Sequence, residues 1–353
     1  MDGQQRVTPR LGETFMSVFN WFGGGGPYTA ARFWSPRGVP GAGDTGVVAR
    51  GEVVVLGRSF GATVVLGGTD AGARPALDLS NGAVAGLTMP NGLPGQPYTT
   101  LNSPAEYGTL NVSGHSGIGY IAIGAYAGID RAPPPYGHGP LFAHDNLQVN
   151  LTGRAMLDTS FDVGEGSVLT VTGGARSGLN AGASVLHGGK AVINAPLAGG
   201  AISLTRGGVS HEGFADAGTL ELGGRVGAGV SINLDVGNLL IDKPLQFAGT
   251  LNIQAQEGNG DIHMDPGTGT QDVMLRGLTA SSYAFDDATH RLTLFAGAAV
   301  LDTIQFSNAT TSNSFHMGPY AHVDMVQTTE GVQLRGIMDS SPAGSTEIPL
   351  HVA

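Results

Sequence analysis

The chain has 353 residues, of which 59 are glycine, 41% are hydrophobic and 13% are charged, with a formal net charge of −11 and no cysteine. Glycine without a three-residue period excludes a collagen-like rod, and the abundance of Val, Leu and Ile excludes a disordered linker. The lack of cysteine excludes a disulfide framework and a thiolate site, and an acidic chain whose only lysines are Lys190 and Lys243 argues against nucleic acid or an anionic membrane as partner.

Residues 1–46 read as an entry segment. "ETFMSVFNWF" (13–22) spaces Phe15, Val18, Phe19 and Phe22 at helical intervals, which predicts either a short amphipathic helix or an aromatic plug. "GGGGP" (23–27) cannot continue a helix, and "RFWSPRGVPGAGDTGVV" (32–48) enforces turns before the first strand. Phe15, Phe19, Trp21, Phe22, Phe33 and Trp34 concentrate aromatic side chains here, as a cap would. The opening "MDGQQRVTPRLGETF" has neither the basic end nor the apolar stretch of a secretory signal, and no apolar run is long enough to span a bilayer as a helix. A removed signal, export by another route and residence inside the cell all remain open.

From residue 47 to 271 one phrase recurs. "GEVVVLG" (51–57), "GATVVLGG" (61–68), "YGTLNVSG" (107–114), "GSVLTVTGG" (166–174), "GAISLTRGG" (200–208), "AGTLELGG" (217–224) and "AGTLNIQA" (248–255) each bracket an apolar strand of about five residues with glycine or a polar turn. Five residues with two inward side chains bury too little to stand alone. Layered on their own kind, each strand pairs with the equivalents above and below, and inward Val, Leu and Ile form columns. In the clearest stretch the phrases open at Gly166, Gly182, Gly200, Gly218 and Gly237, steps of 16 to 19 residues, which points to a β-solenoid with one coil per repeat. The segments 89–108 and 126–140 break the metre and read as projecting loops.

Residues 272–340 read as a C-terminal β module. "HRLTLFAG" (290–297) and "VLDTIQF" (300–306) suggest a hairpin, followed by the strands "HVDMVQ" (322–327) and "GVQLRG" (331–336); residues 341–353 form a tail. A stack has two exposed strand edges, so both ends need caps or must mate with each other.

The "GTLxVxG" phrases resemble the right-handed parallel β-helix passengers of bacterial autotransporters and related secreted adhesins. "FWSPRGVPGAGDTGVV" (33–48) is similar to the entry that precedes the first rungs in many such proteins, and "GLTASSYAFDDATHRLTLFAGAAVLDTIQF" (277–306) to C-terminal β modules of large extracellular proteins of alphaproteobacteria. The resemblance implies an all-β parallel β-helix, right-handed, with an N-terminal cap and a C-terminal β-rich cap module, secreted or on a bacterial cell surface. The chain departs from the pattern in lacking the amphipathic strands of a translocator barrel and the G-G-x-G-x-D arrays that bind calcium.

Candidate chemistry is sparse. In "HMGPYAHVD", His322 and Asp324 share a strand face by the period of two, with His316 a third metal ligand across the turn; in "DIHMD", Asp261, His263 and Asp265 align likewise, "EGNGDIHMD" being one imperfect echo of a calcium repeat. A half-solvated strand shows the same alternation, so neither is assigned as a metal site. Ser210, His211 and Glu212 are adjacent, and neighbours on a strand point to opposite faces rather than converging on a substrate. The glycines of 23–26 lack the Lys and Ser/Thr of a phosphate loop. Asn111, Asn150, Asn194, Asn233 and Asn252 fall in or beside rung phrases, where they could stack as an amide ladder inside the solenoid or merely favour turns.

Two functions follow. The first is a non-enzymatic structural or adhesive surface protein, part of a biofilm matrix or self-assembling filament, without cofactor or metal, that associates with itself or with surface components. The alternative is a β-helix polysaccharide lyase or glycoside hydrolase. Against it, Asp286 and Asp287 are adjacent rather than facing, Arg154 and Arg206 have no evident acidic partners, and Phe161 and Phe214 are the only aromatic platforms between residues 143 and 245.

Overall fold

The computed structural model describes residues 17–67, 74–89, 107–123, 145–164, 166–205, 218–234, 237–253, 272–307 and 321–338. These residues are all-β, arranged as a 16-stranded sheet A and a 12-stranded sheet B in which parallel pairing dominates. Two short 3-10 turns, Ala31–Phe33 and Pro244–Gln246, interrupt the strands.

Parallel neighbours cannot be joined by a hairpin, so each connection has to leave the sheet and return. Here it leaves for the other sheet. Glu52–Leu56 lies in sheet B, Ser59–Leu66 in sheet A, Ala76–Ser80 in B and Ala83–Thr88 in A; later, Val168–Gly173, Gly178–His187, Lys190–Ile193 and Leu197–Thr205 alternate in the same way. The glycine step read from the sequence mixes the two sheets. Gly182 and Gly200 open neighbouring segments of sheet A and Gly218 pairs with Gly237 in sheet B, each one full circuit, whereas Gly166 to Gly182 crosses from B to A.

Alternation of inward and outward side chains produces aliphatic columns. In sheet B, Val53, Leu77, Leu110, Val149, Val171, Ile193, Leu222, Ile241 and Leu275 are successive register partners, all buried. In sheet A, Ile202, Ile232, Leu251 and Phe306 do the same. Each such side chain contributes about 1.5–3 kcal/mol by leaving water, which is how strands of five residues become stable together.

Bends inside the long sheet A strands Gly178–His187 and Leu197–Thr205 carry special backbone geometry. Gly200 has φ +111°, and a Cβ there would sit 2.6 Å from the Gly182 nitrogen, so one circuit passes another too closely for any side chain. Buried hydroxyls take up backbone groups freed at the bends: Ser184 Oγ accepts from Phe161 N at 2.9 Å and donates to the Ala181 carbonyl, and Ser177 Oγ donates to the Gly174 carbonyl at 2.7 Å.

At the N-terminal end, the helical alternative for 13–22 is corrected over its described part: Val18–Trp21 is a strand, parallel to Thr45–Val48 and antiparallel to Trp34–Ser35. Period two wins there because Trp21 must point inward. Its ring stands edge-on to Phe33 at 5.2 Å and to Trp34 at 5.1 Å, and Tyr28 packs on Trp34 and Phe60. Trp34 Nε1 donates to the Tyr28 carbonyl at 2.8 Å, and Tyr28 Oη to the Pro40 carbonyl at 3.0 Å. Burial, reinforced by Asp44, pushes the Tyr28 phenol well above its ordinary pKa, so it remains a donor.

At the other end parallel order gives way to antiparallel pairs. Ser282–Asp286, Arg291–Ala296 and Ala299–Phe306 form a meander that joins sheet A through Thr250–Ile253, while Gly331–Met338 lies between Asp272–Arg276 and Ala321–Gln327 in sheet B. The loop segment 126–140, nearly all of 89–108, and the tail 341–353 lie outside the described residues.

Candidate functional site

The outer faces of the sheets carry the polar chemistry. On sheet A, Phe161 and Val163 point into the core, which turns Asp162 outward. His187 and Thr205 end their strands and are register partners, with Gly164 opposite His187 on the preceding strand. Three residues distant in sequence therefore meet: Thr205 Oγ1 lies 2.9 Å from His187 Nδ1, and His187 Nε2 lies 3.7 Å from Asp162 Oδ1. Burial raises the Asp162 carboxyl above its ordinary value, opposed by the His187 imidazole.

A hydroxyl, an imidazole and a carboxylate in line can move a proton. This set lies on an open strand face, and Thr205 Oγ1 is also within 3.4 Å of the Leu186 carbonyl, a competing acceptor. A second couple, His115 Nε2 to Asp158 Oδ2 at 2.6 Å, occupies neighbouring strands of the same sheet with both side chains exposed. Among the described residues, no three His, Cys, Asp or Glu side chains cluster to hold a metal ion.

Sheet B carries a polar column in strict register. Asn111 Nδ2 donates to Asp78 Oδ1 at 2.7 Å, Asn150 Nδ2 to Asn111 Oδ1 at 2.9 Å, and Thr172 Oγ1 to Asn150 Oδ1 at 3.0 Å. The amide dipoles all align toward the Asp78 carboxylate, so each bond polarises the next. A shorter column on sheet A runs from Ser307 through Asn252 and Asn233 to Ser203. The asparagine ladder is thus real at four of its five residues, but on half-buried outer faces rather than inside, because the interior is filled by aliphatic columns. Asn194 is an exposed corner residue.

Beside Asp78, Glu52 is held above the usual carboxylate range, first by a hydrogen bond to Asp78 and then by its charge. The folded state therefore favours the protonated Glu52 carboxyl, which donates to Asp78. That contribution is complete below about pH 4 and is lost as pH rises through the higher folded-state value. Glu52→Gln is expected to remove this pH dependence and to be about 0.2–1 kcal/mol more stable than wild type at neutral pH, measured by urea unfolding in a pH series. Further along, Arg276 bridges Glu221 at 3.1 Å and Asp242 at 2.8 Å, and Lys190 meets Glu221 at 3.3 Å, tying successive strands of the sheet.

The residues weighed from the sequence fall elsewhere. His322 and Asp324 share the strand Ala321–Gln327, opposite Ile337 and Arg335. His316, Asp261, His263, Asp265, Ser210, His211, Glu212, Arg206 and Phe214 lie outside the described residues. Arg154 is an exposed turn residue and Phe161 belongs to the core, so it offers no face to a sugar. Asp286 closes the meander's first turn: the Thr289 hydroxyl and the Ala288 N–H donate to it and hold its carboxyl below the usual range. Asp162, His187 and Thr205 were not singled out from the sequence, since only the strand register brings them together.

The model of the peptidase S3 family, described as alphavirus core protein, matches residues 8–92, about a quarter of the chain. No curated protein and no solved structure matches. The likeness of these residues is to a virus core protein, and it overturns the expectation of an extracellular adhesive or biofilm component, together with its lyase or hydrolase alternative. The reason is physical: glycine-bracketed apolar strands are what stacked parallel coils require in any setting, so the phrases carry no information about a cell surface. The matched residues contain no histidine, and the Asp162, His187 and Thr205 set lies wholly beyond them.

Proposed function

We propose that the chain is a β-solenoid wound between sheets A and B whose role is structural, a subunit that binds copies of itself in a homomeric assembly. The observation that carries this reading is where large exposed apolar side chains fall. Among the described residues, Val18, Phe22 and Leu56 lie toward the N-terminal end and Leu245 and Val300 toward the C-terminal end, while the outer faces between them carry polar columns of Asp, Asn, Gln, Ser and Thr beside half-buried Val168, Val192 and Leu240. Tyr107 and Tyr120, exposed between the ends, present phenols with polar tips. Apolar side chains gathered at the ends of an otherwise polar stack mark those ends as contact surfaces. The likeness of residues 8–92 to alphavirus core protein supports an assembly of this kind, a core protein being a building block.

In this reading the role is non-catalytic. The open strand face around Thr205 and the lack of histidine in the matched residues support that assignment. Nucleic acid is not a partner of the proposed assembly, which a net charge of −11 and two lysines support. The resemblance to autotransporter passengers is retained as a likeness of coil winding, right-handed by that analogy. Sedimentation velocity over a hundredfold range of protein concentration tests the proposal. Mean mass is expected to rise with concentration; one monomeric species throughout would overturn it.

A further inference from the structure

The exposed apolar residues at the two ends share one more property: three of them lie on the same corner of the stack, where the chain passes from sheet B to sheet A. Leu56 ends Glu52–Leu56 of sheet B just before Ser59–Leu66 of sheet A and is 61% exposed. Leu245, 67% exposed, occupies the equivalent turn between Gly237–Ile241 and Thr250–Ile253. Val300, 62% exposed, reaches that corner by a different path. Its strand Ala299–Phe306 runs parallel to Thr250–Ile253 but pairs with it only through Gln305 and Phe306, so residues 299–304 extend back past Thr250 toward the corner. Between these ends the described corners are residues 81–82, 114, 152–155, 174–177, 194–196 and 223–225, whose exposed side chains are polar or small and include Arg154, Arg176 and Arg225.

At the N-terminal end the corner holds a cavity of about 230 Å³ lined by Pro27, Tyr28, Val54, Leu56, Arg58 and Phe60. The half-buried Phe60 ring, backed at 4.4 Å by the fully buried Tyr28 ring, provides an aromatic wall, and Arg58 makes no ion pair among the described residues. Charge differs in sign between the ends. Residues 17–60 hold Arg32, Arg37, Arg50 and Arg58 against Asp44 and Glu52, whereas residues 277–306 hold Asp286, Asp287 and Asp302 against Arg291. Asp302 accepts from Thr303 N with one oxygen and its other oxygen is buried, so the exposed acidic side chains of the meander are Asp286 and Asp287.

We propose that copies join head to tail at this corner, the cavity beside Arg58 of one copy receiving Val300 of the next, with acidic residues of the C-terminal meander facing the arginines. A stack extended along its own axis brings equivalent corners into line, so the apolar patch of one end meets that of the other while the polar corners between stay in water. Such a contact is heterologous: each copy offers two different surfaces, and the assembly grows by repetition. Opposite end charges speed encounter and disfavour head-to-head pairing.

This junction rests on the self-association proposed above, and variants separate the two claims. Leu56→Asp spoils the receiving end and Val300→Asp the inserting end. Because both positions are exposed, each variant is expected to melt within a few degrees of wild type. Each alone is expected to associate at least about 30-fold more weakly than wild type. Their equimolar mixture retains one intact junction and is expected to give a one-to-one dimer and nothing larger by sedimentation velocity. Wild type that associates while both variants do so equally, or a mixture that stays monomeric, overturns the junction and leaves self-association standing. Wild type that stays monomeric at every concentration overturns both.

Discussion

Replacing Trp34 by alanine is expected to cost about 3–5 kcal/mol of unfolding free energy, the largest effect of any single change in the N-terminal cluster. The indole is fully buried, stands edge-on to Trp21 and Tyr28, and donates to the Tyr28 carbonyl. It also fills the space that Gly46 leaves open: a Cβ on Gly46 would come within 3.0 Å of the ring. Truncation therefore removes dispersion contacts, a hydrogen bond and two edge-to-face ring pairs together. Trp34→Phe keeps part of the packing and is expected to lose about half as much. Urea unfolding followed by intrinsic fluorescence measures both, with Trp21 left as reporter.

Ile232→Ala is expected to cost about 2–5 kcal/mol, with a distinctive spread through the molecule. Ile232 sits between Ile202 and Leu251 in a sheet A column, and all three are buried. In a stack each strand touches chiefly the strands beside it, so damage is felt most by the neighbours. Amide exchange should quicken in Leu197–Thr205 and Thr250–Ile253 while Glu52–Leu56, many strands away, changes little. Uniform acceleration across all of these strands would contradict nearest-neighbour stacking.

The parts of the fold that came through in the sequence are those written in single strands. In "GSVLTVTGG", Leu169 and Val171 alternate with Val168, Thr170 and Thr172, and the structure buries the first pair and turns the others outward. The aromatic concentration near Trp21 and Trp34 likewise became a buried cluster. Between Phe15 and Phe22, however, spacings of three and four coincide with helical periodicity, and a four-residue strand is too short for its own alternation to outvote them. The glycine step misled because Gly166, Gly218 and Gly237 stand at the start of sheet B strands whereas Gly182 and Gly200 mark bends inside sheet A strands, and the phrase is the same in both places. The asparagines were visible as a repeat but placed on the wrong face, since Asn111 and Asn150 share an outward register position that pairing alone defines. Pairing likewise decides the meeting of Asp162, His187 and Thr205.

Parallel pairing of successive strands within each sheet sets the columns, the polar ladders and the corner on which copies are proposed to join. The absence of native cysteine allows a direct measurement by paired cysteine substitution and mild oxidation. Thr170 is the register partner of Val192, which is in turn the partner of Glu221, and all three face outward. Adjacent strands lie about 4.8 Å apart, inside disulfide reach, and next-but-one strands lie beyond it. Thr170→Cys with Val192→Cys is expected to close an intramolecular disulfide readily, whereas Thr170→Cys with Glu221→Cys is not. Efficient closure of the second pair and failure of the first would contradict that pairing.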